Sequence, residues 1–143
     1  MGRAVNFGHG EVSAGNFGYR VMNFVLFTAA GLSLLWCLVH FFVGGRDVAR
    51  PLRADQSLDP MVRDVLWFCW HIVSVVLLLM AVFFGLDAVG LTQGLALAAT
   101  LLSLGIMMLG ILSVPMIGQS YRVVPQGWLF VPTTVLGVWG LLG

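Results

Sequence analysis

The chain has 143 residues, of which 59% are hydrophobic and only 9% charged, with a formal net charge of +1. A soluble domain carries about 25% charged residues, so this composition excludes an ordinary water-soluble fold. The near-neutral balance and the lack of a basic tract argue against a nucleic-acid partner. All seven basic residues are arginine. Such usage fits a GC-rich coding sequence and so a bacterial source.

Four apolar blocks, Val21–Val43, Val65–Leu86, Leu91–Ile117 and Trp128–Leu142, fill most of the chain. Each approaches the roughly 20 residues that cross a bilayer core. They predict an all-α, polytopic membrane protein: a single integral domain of four transmembrane helices in an up-down bundle. The helices are expected at about 21–43, 60–86, 91–117 and 128–142. The last is short and is expected to cross with little tilt or through thinned bilayer.

Residues 1–19 are polar and Gly-rich, with aromatics at Phe7, Phe17 and Tyr19. No apolar run closely follows the start as a secretory signal requires. The expectation is a short, partly irregular arm entering an uncleaved first helix. That helix carries Trp36, Cys37 and His40 near its end, and Gly44-Gly45 reads as its C-terminus, where glycine easily turns left-handed.

The first loop alternates arginines with acids through Arg46, Asp47, Arg50, Arg53 and Asp55. Its plain reading is a solvated, self-compensating loop. Its sharper reading is a docking surface for a neighbouring subunit, with Arg46, Arg50, Arg53, Asp59 and Trp70 as the interaction residues. Asp59-Pro60 is a helix start: the carboxylate caps free N–H groups, and proline fits the first helical position. On the second helix Asp64, Trp67, His71 and Ser74 share a face.

The turn around Asp87–Gln93 is tight, and Asp87 is placed either to cap the third helix or to meet Arg20. Pro115 should kink or end the third helix. Pro132 should bend the fourth, with Thr133 and Thr134 bonding back to the freed carbonyls. Small residues at four-residue spacing, Ala81/Gly85, Gly94/Ala98 and Ala99/Ser103, with Ala29, Gly31 and Ser33, favour close helix packing.

Arginines set the orientation. Arg46, Arg50, Arg53, Arg63 and Arg122 fall on one side of this layout, and Arg3 and Arg20 on the other. Positive-inside sorting puts the first side in the cytoplasm and both termini outside. Trp36, Trp67, Trp70 and Trp128 then sit toward the cytoplasmic interface, and Trp139 toward the outer one.

Chemistry candidates are few. Ionisable residues within a bilayer mark functional sites by default, which singles out His40 and His71 at similar depth on adjacent helices. Two imidazoles facing each other across a gap would suit haem b. The plainer reading has each ring bonded to a neighbouring helix or to interfacial water. Cys37 and His40 share a helix face, but Cys69 and His71 do not, so a tetrahedral zinc site is disfavoured and no metal is expected. Both cysteines read as small hydrophobes. No carboxylate lies deep in a helix, as an ion-coupled transporter needs, and no catalytic motif is present.

The string running from Val39-His40 through Gly44-Gly45, Arg50-Pro51-Leu52 and Leu58-Asp59-Pro60-Met61-Val62-Arg63 to Trp70-His71 resembles small uncharacterised bacterial inner-membrane proteins. Those have a histidine near the end of helix one and a Trp-His pair in helix two. Over residues 36–86 the resemblance implies four helices and adds weight to His40, Trp70 and His71. It implies no activity. By subtraction, the expected function is non-enzymatic: an accessory or structural subunit of a larger inner-membrane complex, with the lipid bilayer and other membrane subunits as partners. The alternative is a haem b or quinone-site redox protein using His40 and His71.

Overall fold

The structure, a computed structural model, describes the backbone of residues 9–142 and the side chains of residues 23–142. Every regular element among them is helical. Helix α1 (His9–Leu38) runs without a break into a π-helical segment (Val39–Ala49) and then α2 (Arg50–Ala54). A loop leads to α3 (Pro60–Ala88), a turn to α4 (Leu95–Met116), and a second loop to α5 (Gln126–Leu129) and α6 (Val131–Leu142).

Three stretches, Asn23–Ala54, Pro60–Ala88 and Leu95–Met116, are long and apolar enough to cross a membrane, and Gln126–Leu142 is a shorter apolar helix. Within the chain, only 22%, 17% and 22% of the three apolar windows are buried. Phe24, Phe42, Leu109 and Leu142 are among the large apolar side chains left bare. Water would not tolerate such a surface, whereas hydrocarbon matches it. These helices are therefore compatible with a helical membrane protein.

Helix α1 packs along α3 and α6, and α4 packs along the same two helices. Each contributes a narrow buried stripe. On α3 it is Ser74, Leu77, Met80, Phe84 and Ala88, following three- and four-residue steps. Hydroxyls are common in this core: Ser33, Ser74, Thr100, Ser103, Thr133 and Thr134 are buried. Ser33 and Thr100 donate to the carbonyls of Ala29 (2.9 Å) and Ala96 (2.7 Å), one turn back on their own helices. A polar group in a dry interior is thereby satisfied without a water.

Several boundaries differ from the sequence expectation. The first helix starts by His9, so residues 9–19 are helical rather than an irregular arm. The expected roles of Arg3, Phe7, Phe17, Tyr19 and Arg20 lie outside the described side chains. Gly44-Gly45 does not end the helix. Neither glycine has positive φ, and the chain instead widens, with the Arg50 N–H bonded five residues back to the Gly45 carbonyl. Widening keeps the backbone groups paired, so two glycines alone do not force a stop.

Asp59 caps α3 as expected, its carboxylate accepting from the N–H groups of Met61 (2.9 Å) and Val62 (3.4 Å). Ahead of it, the Ser57 hydroxyl and N–H both donate to Asp55, which holds that carboxyl below its usual range and fixes the turn. Asp87 takes the capping role across the next turn: Thr92 donates to one carboxylate oxygen, and the N–H groups of Gly94 (3.1 Å) and Ala96 (2.7 Å) to the other. Pro115 ends α4 within a turn, with Gly118 left-handed just beyond at φ +69°. Around Pro132 the last helix is interrupted at Phe130 and restarts. The threonines after it do not bond back as expected. Thr134 pairs with Ser103 on α4 (2.8 Å), and the buried Thr133 hydroxyl has no partner.

Candidate functional site

The chemistry-bearing side chains gather where the π-helical segment and α2 meet the first turns of α3. The segment is unusually long, since π-helical turns mostly occur singly and often mark functional sites. Gly44 lies against the rim of the Trp70 indole: a Cβ there would come within 2.8 Å of its Cζ2. Next to it, the His40 ring stacks on the Trp70 indole, with centroids 4.0 Å apart and planes 14° apart. The His40 Nε2–H donates to the Trp70 carbonyl at 3.2 Å. One tryptophan thus receives a glycine, an imidazole face and an imidazole donor from the facing helix.

His71 is held differently. Its ring meets Trp67 edge-on at 4.2 Å, and Phe41 lies 6.3 Å away. The two histidines line different cavities. His40 lines one of about 340 Å³ with Trp36, Leu77, Gln126 and Phe130, inside the helix cluster. His71 lines another of about 400 Å³ with Phe41, Phe42, Trp67, Trp70 and the arginines Arg46, Arg50 and Arg53. The rings do not flank a common gap, and the His40 Nε2 is already engaged.

Of the predicted interaction residues, Arg46, Arg50, Arg53 and Trp70 converge on this second cavity, together with His71. Asp59 does not; it serves the start of α3. Arg46 pairs with its neighbour Asp47 at 2.7 Å. Arg53 pairs with Asp64 at 3.2 Å and sets its guanidinium over the Trp67 ring, 4.8 Å from the centroid. Arg63 is mostly covered, within 3.9 Å of Asp64, and donates to the Asp55 carbonyl at 3.4 Å. The Arg50 guanidinium has no hydrogen-bond or ion-pair partner among the described residues.

The predicted stripe of α3 splits by role. Asp64 and Trp67 hold Arg53, His71 faces the cavity, and Ser74 is buried and accepts no part in it. Cys37 is buried and donates to the Ser74 carbonyl at 3.5 Å, while Cys69 is exposed on the outer face. Among the described residues no three metal-ligating side chains converge. Trp36 lines the inner cavity, its Nε1 buried without a partner among the described residues. Sequence reasoning missed the walls formed by Phe41 and Phe42. Their four-residue offsets from Gly45 and Arg46 were the available signal.

Scans against protein-family models, curated proteins and solved structures find no match for this chain.

Proposed function

We propose that the chain is a non-catalytic protein of a bacterial inner membrane, acting as an accessory or structural subunit of a larger membrane complex. It crosses four times in an up-down bundle, with α1–α2, α3, α4 and α5–α6 as spans and both termini outside. The arginine bias of the α1–α3 and α4–α5 connections supports that orientation.

The observation that carries the reading is the joint between His40 and Trp70. The histidine that would most readily mark a reaction site is stacked and hydrogen-bonded as a fastening between α1 and α3. Cys37 and the Ser103–Thr134 pair likewise bond between helices, Asp59 and Asp87 cap, and Ser33 and Thr100 bond within their own helices. The wide apolar faces left uncovered offer room for neighbouring subunits as well as lipid.

The test is purification of the tagged chain from its own membranes in a mild detergent. A colourless chain migrating in an assembly of fixed stoichiometry, far above 15.5 kDa, is the expected result. A lone chain with a Soret band that disappears in His71→Ala would overturn it in favour of a haem protein. Orientation is checked separately. A cysteine placed at Gln56 should resist an impermeant thiol reagent added to intact cells, and labelling there reverses the topology.

A further inference from the structure

We infer that the cavity between the π-helical segment and α3 is a binding site for one anionic glycerophospholipid, whose phosphate is held by Arg50. Three observations meet there. The first is depth. The 32 residues of Asn23–Ala54 extend more than about 40 Å, against about 30 Å of hydrocarbon. Its last turns, with Arg46, Arg50 and Arg53, therefore stand in the headgroup zone, while Phe41 and Phe42 remain beside the acyl chains.

The second is the lining. The cavity is lined by Phe41 and Phe42, by Arg46, Arg50 and Arg53 on the turns that follow them, and by Trp67 and Trp70 from α3, with no carboxylate among its lining residues. That is the layout of an amphiphile with a negative head. Its volume of about 400 Å³ takes a headgroup and the start of the chains. The exposed sides of Phe41 and Phe42 leave it open laterally to lipid.

The third is the state of the arginines. Arg46 and Arg53 are each tied to a carboxylate outside the lining, and Arg53 is also fixed on Trp67. They form walls. Arg50 is the one of the three without an acceptor among the described residues, and a guanidinium fork matches phosphate oxygens in paired geometry. The His71 ring adds a hydrogen-bonding group on the α3 side. None of this depends on the accessory role proposed above.

The test uses the full chain in non-ionic detergent, titrated with dioleoylphosphatidylglycerol or dioleoylphosphatidylcholine, with retained lipid counted by native mass spectrometry. We expect one phosphatidylglycerol retained per chain, with at least fivefold preference over phosphatidylcholine. Arg50→Gln should lower retention to the phosphatidylcholine level, whereas Arg122→Gln, an exposed arginine away from the cavity, should keep most of it. Equal retention of the two lipids overturns the proposal. So does an Arg122→Gln loss as large as that of Arg50→Gln, which would mean diffuse surface attraction. Displacement of the lipid by millimolar inorganic phosphate also overturns it, since the site would then be one for a small anion. The lipid preference and the phosphate competition are read on the unaltered chain, so they stay decisive even if the variant misfolds.

Discussion

Two of the helix contacts of this protein are built on opposite plans. Where α1 meets α3 near the loop end, large rings do the work: Trp70 lies on Gly44 and under His40, and Trp67 holds both His71 and Arg53. Where α4 meets α5, backbones touch, and where it meets α6 a glycine receives the Thr100 side chain. A Cβ on Gly110 would come within 2.6 Å of the Gly127 Cα, and one on Gly137 would collide with Thr100 and Phe84. Rings leave irregular gaps, so both cavities that carry histidine open beside the first contact. A gap of about 570 Å³ also opens beside the second, between Met107 on α4 and Val131, Thr134, Val138 and Trp139 on α6, but no charged side chain lines it. The histidines thus lie beside one contact and the close backbone approach at the other.

The contrast breaks most severely at Gly110. Gly110→Val puts a branched side chain against backbone that cannot rotate away, so the cost should exceed the roughly 1–3 kcal/mol of ordinary overpacking. The folded fraction in detergent, read by size-exclusion fluorescence, should collapse. A stable Gly110→Val protein would show that α4 and α5 are not in backbone contact.

Gly44→Ala tests the other plan. The clash there is with the edge of an indole, which can yield. The expected loss is about 1–3 kcal/mol, and it should be largely relieved in the double variant with Trp70→Leu. A thermal-melt double-mutant cycle with no coupling between positions 44 and 70 would separate the glycine from the ring.

Asp87→Ala should cost about 1–2 kcal/mol, because the carboxylate caps α4 through two backbone N–H groups and Thr92. Asp59→Ala, which removes the cap of α3 at a solvated loop, should cost about 1 kcal/mol. Chemical melts of the two variants measure the difference, and a larger loss at Asp59 would reverse their order.

The smallest effect belongs to the bond between Ser103 and Thr134. Interhelical hydrogen bonds within membranes couple by about 0.6 kcal/mol on average. A cycle of Ser103→Ala with Thr134→Val should return a value of that size. Coupling above about 2 kcal/mol would exceed the range known for such bonds and mean that α4 and α6 are joined mainly by polar contact.

Hydropathy and end signals were readable in the residues themselves. The apolar blocks became helices, Asp59 became a cap, Asp87 took one of its two expected roles, and Pro115 stopped its helix. The arginines and the Trp-His pair of the candidate site were also visible as a group. What escaped was the rotation of each helix about its axis. The spacings Ala81/Gly85 and Gly94/Ala98 suggested close approach, yet nothing lies within 4 Å of a Cβ on Gly85 or Gly94. Among the described residues, the glycines at real close contacts are Gly44, Gly110, Gly127, Gly137 and Gly140.

The physical reason lies in the solvent. In water, a polar face tells which side of a helix is outside; in hydrocarbon both sides are apolar, and α4 is apolar almost all round. Composition and block length by themselves determined the helices and their membrane-matching character, because transfer of a segment to lipid adds up residue by residue. Which glycine meets a backbone, which histidine becomes a fastening, and which arginine is left free depend on the rotation and depth of neighbouring helices. Only close packing among them decided those.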